Sequence, residues 1–182
     1  MFTTFTGGDS GQWQIIKLEP VIGETLKPAS HLNITTSSAF APAADNTQWH
    51  LTGFASNVRY VERPEKTELA AMQLPLGRKE ATRAALIPIK KSAAWWDMTQ
   101  EERRAIFEAK SHHIAESLKY LPVIARQLYH SHDLGQPFDF LTWFEYAPQA
   151  AGDFEALVKT LRATEEWRYV EREVDIRLTA TN

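Results

Sequence analysis

Cysteine is absent from the 182 residues, and that absence closes several chemistries at once. Disulfide scaffolds, thiolate nucleophiles, iron–sulfur clusters and thiolate-bound zinc all need a side chain that is not there. Charge of one sign is scarce as well. Twenty Lys and Arg against 23 Asp and Glu leave a net charge of −3, so no general attraction to nucleic acid is expected. No apolar run approaches the ~20 residues of a membrane span. The opening stretch MFTTFTGGDSGQW has neither the basic nor the apolar region of a secretory signal, so a cytoplasmic protein with no membrane partner is expected. There is no GxGxxG, Walker A or GxSxG pattern. The letters GDSG at residues 8–11 stand without an Asp and a His at suitable places and are set aside. What the chain does have is apolar mass: 43% hydrophobic residues, with six Trp and nine Phe. At this length ~70% of the unfolded surface can be buried. The aromatic surplus suits a flat apolar ligand, although large cores use aromatics too.

Proline, glycine and charge coincide in PLGRKEA, which places a division near residue 80, into segments 1–80 and 81–182. The first is β-rich. Residues 12–18 form an expected strand, 37–45 a loop, and 47–65 one long strand or hairpin arm. The second sorts into alternating elements. Residues 84–90 are a strand, and 98–121 a helix opened by a capping box of Thr99 and Glu102. Pro122 stops that helix. Residues 123–131 and 138–146 are strands around a turn at 133–137, 152–164 a helix, and 165–178 a final strand. The order β-α-β-β-α-β is that of a ferredoxin-like unit. A shorter, degenerate copy in residues 1–80 gives the expected fold: α+β, two ferredoxin-like units, the first truncated, forming one barrel.

Strand parity points to candidate site residues, because alternate side chains share a face. Phe138, Phe140, Thr142, Phe144 and Tyr146 form an aromatic wall with one hydroxyl. Arg126 sits between Ile124 and Leu128, an inward cation that needs an anion. Glu166 has the parity of Val170, Val174, Ile176 and Leu178. Arg126 and Glu166 either pair with each other, fray at strand ends, or serve a site. Six histidines are present, but none forms an HxxxH or HExxH pair, and His130 and His132 share only strand parity. Adjacent His112 and His113 diverge by about 100° on a helix. His113 lies nearer the apolar face of Ile106, Phe107, Ile114 and Leu118. A lone histidine is usually structural or solvated. It can nevertheless ligate haem iron, where the porphyrin supplies the other four nitrogens. Glu165, Glu171, Glu173 and Asp175 read as a solvated face, and the Lys90–Lys91 pair as exposed or anion-facing.

SHHIAESLKYLPVIARQLYHSHDLGQPFDFLTWFEY (111–146), with KKSAAWWDMTQEER before it and LRATEEWRYVEREVDIRL after it, resembles the chlorite dismutases. It is most similar to their short-chain lineage, whose N-terminal half is trimmed. The similarity runs over residues 70–178 and rests on a helix histidine, a strand arginine thirteen residues later and an FDFxTxFE strand. The resemblance implies one haem b per subunit, with His113 as the proximal iron ligand and Glu166 as the carboxylate behind it. Glu165 is the alternative if the register slips by one. It implies Arg126 as the distal arginine, Gln73 as the glutamine that hydrogen-bonds it, and Thr142 and Phe144 as distal neighbours. Trp95 and Lys91 are implied near the haem edge and propionates. Phe154 stands where relatives of this lineage are expected to carry tryptophan. The implied activity is conversion of chlorite to chloride and dioxygen, through a ferryl species and transient hypochlorite, in a homodimer. Coproheme decarboxylation and non-catalytic haem binding are the alternatives.

Overall fold

The computed structural model describes residues 1–40, 47–55 and 61–181. Its strands are β1 (Phe2–Gly8), β2 (Trp13–Ile22), β3 (His31–Ser37), β4 (Trp49–Phe54), β5 (Arg83–Lys91), β6 (Ile124–His130), β7 (Phe140–Tyr146) and β8 (Val170–Ala180). The helices are α1 (Arg63–Met72), α2 (Ala93–Asp97), α3 (Gln100–Arg104), α4 (His113–Leu118) and α5 (Ala151–Arg162). A π-helical stretch, Ala105–Lys110, continues α3, and a 3₁₀ turn, Glu165–Tyr169, leads into β8.

The strands close into an antiparallel barrel in the order β1-β3-β2-β8-β5-β7-β6-β4. Each half contributes four neighbours in the same internal order, β4-β1-β3-β2 and β8-β5-β7-β6. The second half has the β-α-β-β-α-β order read from its sequence. In the first, β1 reaches β2 through residues 9–12 alone, and no helix precedes Arg63 among the described residues. The first unit is therefore the truncated one, and the fold is the expected α+β barrel.

Strand alternation divides the apolar mass in two. Leu86, Leu141, Trp143, Val174 and Ile176 point into the barrel, where they meet Phe5 and Leu51. Their neighbours Ala85, Ile87, Ile89 and Phe144 point outward and are covered by Phe154, Leu157, Val158 and Leu161 of α5. The spacing i, i+3, i+4, i+7 makes that helix face one continuous stripe. Each fully buried side chain of this size contributes about 1.5–3 kcal/mol. β5 is apolar almost throughout because both of its faces are covered.

Three expected elements differ. The strand over 47–65 ends at Phe54, and the chain is helical from Arg63, where Pro64 and a Glu62–Glu65 capping box open α1. Residues 56–60 of that stretch, and 41–45 of the expected loop, lie outside the described residues. The helix over 98–121 starts with the Thr99–Glu102 box as expected but is interrupted. Residues 165–169 are a 3₁₀ turn, and the last strand begins at Val170.

Candidate active site

Between the outer face of β5, β6 and β7 and the inner faces of α1, α4 and α5 lies a cavity of about 1140 Å³, its mouth included. Ile87, Leu128 and Phe144 form much of its sheet wall, and Leu69, Ile114 and Leu121 much of its helical wall.

His113 enters from the helical wall because the helix breaks just before it. The π-helical stretch closes with Ser111 N–H donating to the Ile106 carbonyl at 3.1 Å. His112 then takes a left-handed conformation, φ 51°, which is rare outside glycine. α4 restarts at His113, and the Glu108 carboxylate accepts from the N–H groups of Ile114 (2.7 Å) and Ala115 (3.4 Å). Those donors would otherwise be orphans of a helix start. The His113 ring is stacked on Phe107 (4.3 Å), with Trp167 farther off (6.5 Å).

Behind the ring stands Glu166, 5% exposed. Its Oε2 is 2.7 Å from His113 Nδ1, its Oε1 accepts from Lys91 Nζ at 2.7 Å, and its N–H donates to Ser111 Oγ at 3.0 Å. Burial alone would raise this carboxyl; the charges and hydrogen bonds of His113 and Lys91 override it and hold it at about 2. A carboxylate only accepts, so Nδ1 carries the ring proton and Nε2 is left for the cavity. This is the carboxylate–histidine arrangement that fixes a metal-ligating imidazole and raises its basicity. Among the described residues no group of three or more His, Asp or Glu could hold a bare ion.

Arg126 lies on the sheet wall, with Thr142 and Phe144 on the adjoining strand; Phe144 is its register partner. Its Nε is buried with no hydrogen-bond partner, and the side chain pairs with no carboxylate among the described residues. Burial lowers its pKa, but a guanidinium starts so high that it stays charged at neutral pH. The cavity therefore contains a cation with no carboxylate partner among the described residues, which suits it to an anion.

The cavity brings together His113, Glu166, Lys91, Trp95, Arg126, Thr142 and Phe144. Several details differ from expectation. Arg126 and Glu166 do not pair, since both oxygens of Glu166 are engaged by Lys91 and His113. Glu165 faces the surface, 3.2 Å from Lys110. Lys91 is not at an outer edge: its side chain is 3% exposed, and its ammonium is bound to Glu166 and 4.4 Å from the centre of the Trp95 ring. Lys90, by contrast, is exposed and paired with Glu171. Gln73, the C-cap of α1, is exposed and donates to the main-chain carbonyl of Arg126 at 2.7 Å, not to the guanidinium. Phe138 precedes β7 and turns into the barrel core, and Tyr146 stacks on Phe154. Phe154 does not line the cavity; it packs edge-on behind Phe144. Glu173 and Asp175 are not solvated but buried under α5, bonded to Arg162.

Sequence reasoning missed Glu108, Ser111 and Trp167. Nothing local marks Glu108 or Ser111, whose partners lie across a helix break or 55 residues away. His130 lines the cavity too, and its shared parity with Arg126 and Leu128 was a usable signal.

Comparison with known proteins agrees with this geometry. Residues 21–181 match the sequence model of the chlorite dismutase family. The chlorite dismutase of Ideonella dechloratans is 30% identical over 135 residues, which are 73% of this chain but only 45% of that protein. The chain thus spans about half the length of that relative. A dimeric chlorite dismutase from Nitrobacter winogradskyi superposes with a TM-score of 0.92 at 68% identity, covering 98% of this chain and 99% of the other. A mutant chlorite dismutase of Candidatus Nitrospira defluvii has the same fold, with a TM-score of 0.70 at 20% identity over 100% of this chain and 91% of its own. By the match over residues 21–181, this chain belongs to the chlorite dismutase family.

Proposed function

We propose that the cavity would hold haem b through His113 Nε2, and that the protein converts chlorite to chloride and dioxygen. One observation carries the reading. A histidine whose Nδ1 is locked by a buried carboxylate and an arginine with no acidic partner among the described residues line the same apolar cavity. The donor set fits that cofactor. A porphyrin needs one protein nitrogen, a large apolar slot and nothing else in the way of ligands. When bound, haem supplies an iron able to take an oxygen atom from chlorite and return it.

The side chains account for the remainder. Glu166 keeps the imidazole oriented and basic, and Lys91 tempers the charge that Glu166 presents to it. On the opposite wall, Arg126 attracts the anion and holds the hypochlorite-level fragment until its oxygen is consumed. Gln73 fixes the main chain from which that guanidinium projects. Apolar walls exclude water, which strengthens the attraction. The net change, ClO₂⁻ to Cl⁻ and O₂, requires no proton, so no general base is needed beside Arg126.

The test is oxygen evolution after chlorite is added to haem-loaded protein, measured beside carbon dioxide release from coproheme supplied with hydrogen peroxide as oxidant. Oxygen without carbon dioxide supports the reading; the reverse assigns the decarboxylase, and neither leaves haem binding alone. His113→Ala should lose haem retention and shift the Soret band, and an unchanged spectrum excludes His113 as ligand. Arg126→Ala should keep haem but release more hypochlorite and inactivate sooner. Its likeness to the dimeric Nitrobacter protein supports a homodimer for this chain as well, which light scattering on the purified protein checks.

A further inference from the structure

One buried carboxylate outside the cavity is tied to it through the backbone. Asp139, 4% exposed, precedes β7. Its N–H donates to the Ile89 carbonyl at 2.9 Å, extending the β5–β7 ladder one step past its last residue pair, Ile89 and Phe140. The next donor along β5 is the N–H of Lys91, which has no β7 residue opposite it. Oδ2 of Asp139 takes that N–H at 2.7 Å and Trp96 Nε1 at 3.1 Å, and Oδ1 is 2.6 Å from His132 Nδ1. The His132 ring lies flat on Trp96 (3.7 Å between centres). Arg103, 5.0 Å from the same indole, donates to the carbonyls of Trp95 and Trp96.

A buried anion with three donors is well satisfied, and two of those donors belong to the segment that feeds the cavity. On its β8 side, Lys91 sits at a register irregularity, so that ladder does not hold it regularly. A lysine stem has four rotatable bonds, and its ammonium can be kept on Glu166 only if its Cα is fixed. Asp139 holds it on the β7 side, while on the other side the next residue, Ser92, donates to the Tyr169 carbonyl at 2.8 Å.

We propose that Asp139 is a positioning residue for the proximal ion chain: by holding the Lys91 main chain it sets how closely that ammonium meets Glu166, and so how much carboxylate charge is left for the His113 imidazole. The proposal deepens, and rests on, the reading of His113 as a haem ligand.

Two double-mutant cycles between Asp139→Ala and Lys91→Met test it. In the haem-loaded ferrous protein, resonance Raman reads the iron–histidine stretch. Lys91→Met should raise its frequency, because Glu166 then presents more charge to the imidazole. Asp139→Ala should shift it the same way by a smaller amount, and should add nothing in the Lys91→Met background. Asp139→Asn keeps an acceptor for the Lys91 N–H and should recover most of the wild-type frequency. In the haem-free protein, thermal unfolding of the same four proteins should show the double variant losing less than the sum of the singles. An unmoved frequency in Asp139→Ala, or shifts that add in full, overturns the proposal. If Asp139→Ala does not fold, Asp139→Ser enters both cycles with the same criteria. A wild-type protein with no iron–histidine mode but a non-additive unfolding cycle refutes the haem reading while leaving the Asp139–Lys91 link intact.

Discussion

Replacing Lys91 with methionine probes the ion chain before any cofactor is involved. The change keeps an aliphatic stem against Trp95 and removes the charge 2.7 Å from Glu166. The two side chains are 3% and 7% exposed, so water cannot replace the lost partner. Removing one member of a buried pair costs about 3–5 kcal/mol, but His113 remains 2.7 Å from the other oxygen and limits the damage. Holding the carboxyl at about 2 against an ordinary 4.5 corresponds to about 3 kcal/mol at neutral pH, shared between both partners. The loss expected for Lys91→Met is therefore about 2–3 kcal/mol, or about 5–10 °C in Tm for a chain of this size. Because the folded pKa is depressed, this stabilisation is complete above pH 4.5 and disappears as the pH falls toward 2. Thermal melts of haem-free wild type and variant should differ fully at pH 7 and converge as the pH approaches 2. Equal melting temperatures at pH 7, or a gap that widens in acid, would refute the reasoning.

Two further substitutions test the scaffold around the site. Glu108→Ala removes the carboxylate that caps α4 and should cost about 1 kcal/mol; haem transfer to apomyoglobin should be faster than from wild type, because His113 opens that helix. Arg177→Met leaves Asp175 buried without the guanidinium that clamps it. Burial pushes Asp175 up, and the hydrogen bonds and charge of Arg177 bring it below its usual 3.8. Chemical denaturation should show a loss of about 3 kcal/mol at pH 7 that shrinks below pH 3.8; a pH-independent loss would argue against the pairing.

Much of the second half of this protein is written locally. The Thr99–Glu102 box, the apolar stripe of α5 and the alternation that turns Arg126, Thr142 and Phe144 to one face depend on neighbours a few residues away. Periodicity captures such features because backbone geometry imposes it. Glu166 shows where that logic stops. Strand parity pointed it inward, yet it lies in a 3₁₀ turn before β8 begins, and its burial comes from packing against Ser111, Lys91 and His113. His113 is similar: a continuous helix would aim it by phase, whereas a π-helical stretch and a left-handed His112 aim it instead. The sequence by itself determined the order of elements in the second half, the shared face of Arg126 and its neighbours on β6, and the absence of any thiol. Only the closed barrel decided which charge meets which. Glu166 bonds to residues 53 and 75 positions away, and no local pattern specifies contacts across such distances until the chain has folded back on itself.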